Sequence, residues 1–289
     1  MSSLPAELIE NILEHVYSEY KDLETPSDLH RCALVSRTWR AISQPLIFFE
    51  LLLSEGQEEQ MKMLLDTHLR QHVRKAWIED CGSLEFIEEF FNLLPNVQGL
   101  CVLHSGPRKL METPVPETML KNLTSLGLSN IRSFPVQAFY NCHSLRELKI
   151  NKLTFEIDIR IQPLFPSRSP ISILDSLHIA GFSLPQMRIL EWMLTPQCPF
   201  NLGALTTLRI ADNSDELSTY TWAVQIVKLC ASTVQDLRID IPTLFADRDP
   251  NLTKIKRYAN YVPWMKAFFS SLPMPNRLEE TEASRFRDL

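Results

Sequence analysis

The chain has 289 residues, 45% of them hydrophobic, which is enough for one small module and one larger body with its own core. Its formal net charge of -6 and its pI of about 5.7 argue against a surface that neutralises nucleic-acid phosphates. The most apolar stretch, residues 45–53, is far shorter than the roughly 20 residues that cross a bilayer, and the first residues lack the pattern of a secretory signal. We therefore expect a cytoplasmic or nuclear protein with no nucleic-acid or membrane partner.

Three short helices are predicted near the N-terminus. Pro5 suits the first position of a helix, and apolar residues follow it at helical spacing, including Leu8 and Ile12. A second helix start is indicated at residues 25–28, and a third helix would contain Trp39. Helices this short bury too little surface to be stable alone, so we expect some of their apolar residues to face a partner or the rest of the chain.

The sequence of these helices resembles an F-box. The segments that carry the resemblance are Leu4-Pro5-x-Glu7-Leu8-Ile9, Ile12-Leu13, Asp28-Leu29 and Leu34-Val35-Ser36-Arg37-x-Trp39-Arg40-x-Ile42. The resemblance implies that residues 1–50 dock onto the Skp-type adaptor of a cullin-RING ubiquitin ligase and, through it, meet the cullin and RING subunits. The adaptor contacts that it implies are Leu4, Pro5, Leu8, Ile12, Leu29, Val35 and Trp39. A second interpretation is that these residues pack the helical core, and the two roles can coexist.

A linker helix is predicted over residues 51–72, between this module and a body over residues 73–289. Residues 55–70 have a polar amphipathic pattern. Within the predicted linker helix, His68 and His72 have the i,i+4 spacing of helical zinc sites, but no Glu stands beside the first His and no third ligand is evident. We interpret the two histidines as a surface pair and predict no metal site.

A repeated pattern runs through the body. The pattern Leu-x-x-Leu-x-Leu, with some conservative replacements, starts at seven positions that lie about 22 to 31 residues apart. The starting residues are Val73, Val97, Leu123, Leu145, Leu174, Leu205 and Val234. The last two apolar positions of each copy alternate with polar ones, as a strand with one buried face requires, and the intervening segments have helical spacing. Each copy therefore predicts one strand and one helix.

This body resembles the leucine-rich-repeat family over roughly residues 73–240. A single strand and helix cannot cover their own apolar faces, so neighbouring copies must stack. The predicted fold class is α/β: a short N-terminal three-helix F-box, followed by a leucine-rich-repeat-like solenoid with a parallel sheet on one face and helices on the other. The Asn or Cys position of the family mostly holds other residues here, and the pattern is clear only to about residue 242, so the repeats are degenerate.

A row of outward-facing side chains is predicted to cross the sheet. The central outward positions of successive copies are Trp77, Cys101, Gly127, Lys149, His178, Arg209 and Arg238. The later half of this row is basic. We therefore propose that Lys149, His178, Arg209 and Arg238, with Trp77, bind an acidic or phosphorylated segment of a target protein. The alternative is that they are ordinary solvated side chains, balanced by nearby acids.

The sequence contains none of the common signatures of catalysis. Its seven glycines form no phosphate-binding loop, Rossmann fingerprint or nucleophile elbow, and its six cysteines are widely spread without metal-ligand spacing. We expect no enzyme activity and no cofactor. The predicted function is that of the substrate-recognition subunit of an SCF-type ubiquitin ligase. The alternative is a protein-interaction scaffold with leucine-rich-like repeats that does not lead to degradation.

Overall fold

The computed structural model describes residues 4–19, 27–54, 56–65, 67–79, 89–103, 120–131, 134–153, 155–156, 172–181, 184–211 and 217–240. Across these ranges, helices at the N-terminus are followed by a parallel β-sheet. At that level the mixed α/β fold class is confirmed. No helix within the same ranges is long and apolar enough to cross a membrane.

The N-terminal helices are α1 (Ala6–Glu19), α2 (Ser27–Val35) and α3 (Arg37–Ile47), so the three predicted helices are confirmed. Between α2 and α3, the hydroxyl of Ser36 accepts a hydrogen bond from the backbone N–H of Trp39 (3.3 Å), as an N-cap side chain does. One buried cluster joins the three helices, and its members are Ile9, Leu13, Leu29 and Ile47. The helical module therefore has a small core of its own.

Eight five-residue strands form one parallel sheet within the described residues. They are β1 (Glu50–Ser54), β2 (Lys75–Glu79), β3 (Gly99–Leu103), β4 (Ser125–Ser129), β5 (Glu147–Asn151), β6 (Ser176–Ala180), β7 (Thr207–Ala211) and β8 (Asp236–Asp240). Their order in the sheet follows the chain, and each residue pairs with the residue at the same position of the next strand. Two short parallel pairs lie outside this sheet: Phe134–Pro135 with Phe155–Glu156, and Ser172–Ile173 with Phe200–Asn201.

The second and fourth residues of β1 to β7 are buried, as the alternation of the repeat predicts. In β5, for example, Leu148 and Ile150 are 0% and 2% exposed. The connections add further buried residues through α5 (Leu184–Met193), α6 (Leu217–Cys230) and the 3-10 helices Val136–Asn141 and Leu202–Ala204. Except for Val136, these buried residues belong to a single core cluster.

Aromatic rings reinforce this core. The ring of Phe139 stacks on that of Trp192, with 5.6 Å between the centroids, and meets the ring of Phe200 edge-on at 5.5 Å. These offset and edge-to-face contacts add stabilisation beyond the area that the rings bury. They join two connections that lie far apart in the sequence.

The structure differs from the predicted linker helix over residues 51–72. Its beginning is a strand, β1, which pairs with β2 and buries Leu51 and Leu53 while Leu52 faces outward at 36% exposure. Three consecutive leucines fit either a helix or a strand. The strand forms here because pairing with β2 satisfies the backbone N–H and C=O groups along the edge of β2. The helix that does form, α4, covers Glu58–Leu65.

The segment His68–His72 is a 3-10 helix, which contradicts the predicted α-helical face shared by its two histidines. A 3-10 helix has three residues per turn, so positions four apart no longer lie one above the other. The pKa of His72 lies below its ordinary value, first because burial disfavours the charged form and then because His68 and Arg74 are nearby positive groups.

The assignment of Leu148 to the buried face of the sheet can be tested by substitution. Replacing Leu148 with Ala should lower the free energy of unfolding by about 2 to 5 kcal/mol, because it removes a fully buried side chain and leaves a cavity. Urea denaturation followed by circular dichroism measures the change. The matched control is Lys149→Ala on the opposite face of the same strand, which should lower stability by about 1 kcal/mol or less, because it removes only a half-exposed ion pair with Glu147. Equal effects of the two variants would contradict the assignment of faces.

Candidate functional site

The first candidate surface is a set of exposed apolar side chains on the helical module. Leu4 precedes α1, and Leu8 and Ile12 follow it on the helix at intervals of four residues, so the three lie along one side. Leu34 and Val35 lie at the end of α2. The exposed fractions are 51% for Leu4, 48% for Leu8, 43% for Ile12, 77% for Leu34 and 65% for Val35. We call these five residues the apolar helical surface.

The structure separates the predicted adaptor contacts into two groups. Leu4, Pro5, Leu8, Ile12 and Val35 are exposed. Leu29 is completely buried, and the half-buried Trp39 packs against the same small core. The burial of Leu29 agrees with the second interpretation, in which these residues pack the helical core, and its role as an adaptor contact stays a prediction.

Leu34 is not among the predicted adaptor contacts, although it is the most exposed large apolar residue among those described. The inner side of α2 carries Leu29, Cys32 and Ala33, which lie in or against the core. Leu34 is rotated about 100° from Ala33 around the helix and falls outside that stripe. The sequence signal for Leu34 is that it is an apolar residue next to the apolar stripe of α2 but not part of it.

Glu50 joins the helical module to the sheet. Its carboxylate accepts hydrogen bonds from the indole N–H of Trp77 (2.8 Å) and from the ammonium of Lys75 (3.1 Å). Tyr17 of α1 also hydrogen-bonds to Glu50, and its ring meets that of Phe49 edge-on at 6.1 Å. Burial, the charge of Glu50 and this hydrogen bond raise the pKa of Tyr17, so the hydroxyl keeps its proton near neutral pH.

The second candidate surface is the row of side chains at the third position of each strand. The strand register places them side by side, and the row consists of Leu52, Trp77, Cys101, Gly127, Lys149, His178, Arg209 and Arg238. We call it the central row. The sequence predicts seven of its members and does not indicate Leu52, because it predicts a helix over residues 51–72. The structure thus brings the predicted target residues together, and their binding role stays a prediction.

Acidic residues stand beside two of the cations in the central row. Lys149 pairs with Glu147 at 2.8 Å, and Arg209 pairs with Asp236 at 3.4 Å. These pairs agree with the alternative interpretation, in which nearby acids balance the basic side chains. The side chains of Lys149 and Arg209 are nevertheless 50% and 48% exposed, so each can turn toward an anionic ligand.

The electrostatics of the row depend on Glu147. Burial alone would raise its pKa, but hydrogen bonds from Lys149 and Ser125 and the charges of Lys149 and Lys75 lower it below the usual value. Ser125 donates at 2.6 Å. Glu147 therefore stays ionised and holds the ammonium of Lys149.

The described thiols whose pKa is shifted are all held in the protonated form. Burial raises the pKa of Cys101 and Cys230 to about 11 and that of Cys142 and Cys198 to about 12. These thiols act as small apolar side chains at neutral pH. Across the described part of the chain, no group of three His, Cys, Asp or Glu side chains could hold a metal ion.

An F-box-like family model matches residues 1–54. This range contains α1, α2, α3 and β1, and with them the whole apolar helical surface. The chain therefore carries an F-box-like domain, which supports its assignment as an F-box protein. No curated protein matches the chain.

The role of Glu147 can be tested through the acid stability of the protein. A carboxyl whose folded-state pKa is lowered contributes stability above its unfolded pKa of about 4.3, and this contribution is lost as the pH falls through the folded value. Glu147→Gln should therefore make the free energy of unfolding fall less steeply between about pH 6 and pH 3. Urea denaturation at a series of pH values measures the slope.

The partner variant Lys149→Met provides the control for this prediction. It removes a hydrogen bond and a charge that lower the pKa of Glu147, so it should reduce the acid slope in the same direction. Slopes that match the wild type in both variants would show that the pair contributes nothing to acid stability.

Proposed function

We propose that this protein is the substrate-recognition subunit of an SCF-type ubiquitin ligase. It would bind a Skp-type adaptor through the F-box-like domain, reach the cullin and RING subunits through that adaptor, and hold a target on its sheet. The chain itself would carry out no catalysis. The observation that supports this proposal best is the apolar helical surface, because it lies entirely within the matched F-box-like domain.

Exposed apolar side chains of this kind favour association. Single exposed apolar residues are common on protein surfaces, whereas several on one small module are typical of a binding face. Fully burying a side chain such as Leu or Val contributes roughly 1.5 to 3 kcal/mol. The five members are already partly covered in the free chain, so each would contribute only a fraction of that amount on binding.

We propose that the body is a degenerate leucine-rich-repeat solenoid. The parallel strands follow the chain order and keep the same register, and the intervals between them match one strand and one connection per repeat. The buried second and fourth positions of the strands recur from β1 to β7, which supports equivalent units. Stacked units would give the long continuous surface on which this family binds proteins.

The central row is the proposed target site, with Lys149, His178, Arg209 and Arg238 facing an acidic or phosphorylated segment and Trp77 at the other end. Arg209 lies directly beside Arg238 on the neighbouring strand and beside His178 on the other. Like charges placed opposite each other on neighbouring strands cost stability. Asp236 offsets part of this repulsion at Arg209, and a ligand with negative charge would add to that effect, which supports the acidic target.

Adaptor binding is tested by placing charge on the apolar helical surface. The double variant Leu8→Asp/Val35→Asp should lose co-purification with a Skp-type adaptor, because each carboxylate would have to be desolvated at the interface. Both positions are exposed, so the free energy of unfolding should change by less than about 0.5 kcal/mol for each substitution.

The matched control for adaptor binding is Met63→Asp. Met63 is 74% exposed on α4, outside the matched domain, so this variant should bind the adaptor as the wild type does. Failure of the wild-type chain to bind any Skp-type adaptor would refute the proposed function. Adaptor binding by the charged double variant would refute the proposed surface.

Target capture is tested by reversing two charges of the central row. Arg209→Glu/Arg238→Glu should remove target proteins that co-purify with the wild-type complex, because it turns the basic end of the row acidic. Adaptor binding should not change, since both residues lie far along the chain from the matched domain. An unchanged set of captured proteins, identified by mass spectrometry, would show that the basic residues are ordinary solvated side chains.

A further inference from the structure

The two ends of the central row differ in chemistry. At the β1 end, Leu52 lies beside Trp77 in the register of the sheet, and both side chains face outward. At the β8 end lie the cationic side chains described above. Cys101 and Gly127 separate the two ends. The row is therefore apolar at one end and basic at the other, and the side chains between the two ends are small.

The apolar end is held in place before any ligand arrives. The indole N–H of Trp77 donates to Glu50 at 2.8 Å, and the ammonium of Lys75 lies 4.5 Å from the centre of the indole ring. Lys75 is itself fixed by its 3.1 Å ion pair with Glu50. Because these contacts fix the orientation of the ring, little conformational freedom is lost when an apolar side chain packs against it.

The middle of the row has no room for a larger side chain at Gly127. A Cβ added at Gly127 would lie 2.8 Å from the sulfur of Cys101, closer than neighbouring atoms allow. The burial-raised pKa of Cys101, about 11, keeps its thiol neutral. A peptide backbone can therefore approach the sheet most closely between Trp77 and Lys149.

The strand spacing sets the distance between the two ends. Trp77 and Lys149 are three strands apart, and Lys149 and Arg209 are two strands apart. At about 4.8 Å per strand these steps are roughly 14 Å and 10 Å. An extended chain advances about 3.3 Å per residue, so they correspond to roughly four and three residues.

We propose that the central row binds one extended peptide segment of the target, with a large apolar side chain at the Leu52 and Trp77 end and anionic side chains at the basic end. The first anionic residue lies about four positions from the apolar one, and the second lies about three positions further on. The charge of the basic end and the fixed aromatic end together define both the chemistry and the direction of the segment. This proposal rests on the proposed function, since it describes the target that the sheet would hold.

Synthetic fluorescent peptides test the proposal directly. Each peptide has a Gly/Ser background, one apolar residue chosen from Leu, Phe and Trp, and two anionic residues that are both Glu or both phosphoserine. The separation between the apolar residue and the first anionic residue runs from two to six positions. Fluorescence anisotropy measures binding to the adaptor-bound full chain, and to the free chain if no adaptor binds.

The expected best peptide has a separation of about four and binds at least tenfold more tightly than the two-residue spacing or the reversed sequence. Either anionic series is consistent with the proposal, and their comparison shows whether the basic end prefers carboxylate or phosphate. Gel filtration with light scattering at the same concentrations shows whether a second copy of the chain covers the row instead.

Separate substitutions test each end. Leu52→Ser and Trp77→Ala should each weaken the best peptide about tenfold while leaving a peptide without the apolar residue unaffected. Arg209→Gln/Arg238→Gln should weaken both peptides. The matched controls are Ile173→Ser, an exposed apolar residue outside the row, and Arg146→Gln, whose 3.6 Å pair with Asp175 resembles that of Arg209. Circular dichroism and urea denaturation confirm that each variant is folded.

The outcomes separate the two proposals. No binding by any peptide, binding that is equal in the row variants and the controls, or self-association through the row would overturn the peptide proposal while the adaptor complex still forms. Loss of the adaptor complex in the wild-type chain would overturn the proposed function, and the free-chain measurement would still decide the peptide site.

Discussion

The parallel pairing of five-residue strands in one constant register is the constraint on which the other features depend. It places the second and fourth residues of seven successive strands in a single core and turns the third residues into a continuous row. A shift of one residue in any strand would exchange its two faces and place apolar side chains in water. The central row therefore follows from the way in which the core is filled.

Glu50 connects this sheet to the F-box-like domain. Only Phe48 and Phe49 separate the end of α3 from β1, and the backbone carbonyl of Phe49 accepts from the N–H groups of both Arg74 and Lys75. With the contacts of Glu50 to Tyr17 and Trp77, these bonds fix the domain against the first two strands. An adaptor bound on the apolar helical surface would thus stand at a defined distance from a target on the central row.

Sequence patterns predicted those parts of the structure that repeat. The third-position residues from Trp77 to Arg238 could be found because strand alternation and a constant repeat determine which side chains are neighbours. The strand β1 was missed because three adjacent leucines show no alternation. Helical spacing identifies an apolar stripe but does not show which side another helix covers, so the sequence does not indicate that Leu29 is buried while Leu34 is exposed. The contact of Tyr17 with Glu50 joins residues far apart in sequence and leaves no local signal.

The position of β1 has a consequence for how this chain can be divided. The matched F-box-like domain includes the outermost strand at one end of the sheet, so its removal would leave β2 with unpaired backbone N–H and C=O groups along one side. An open strand edge of this kind pairs readily with other chains and promotes aggregation. The F-box-like domain thus also covers the hydrogen-bonding edge of β2, and a fragment that begins after Ser54 is expected to aggregate more readily than the whole chain.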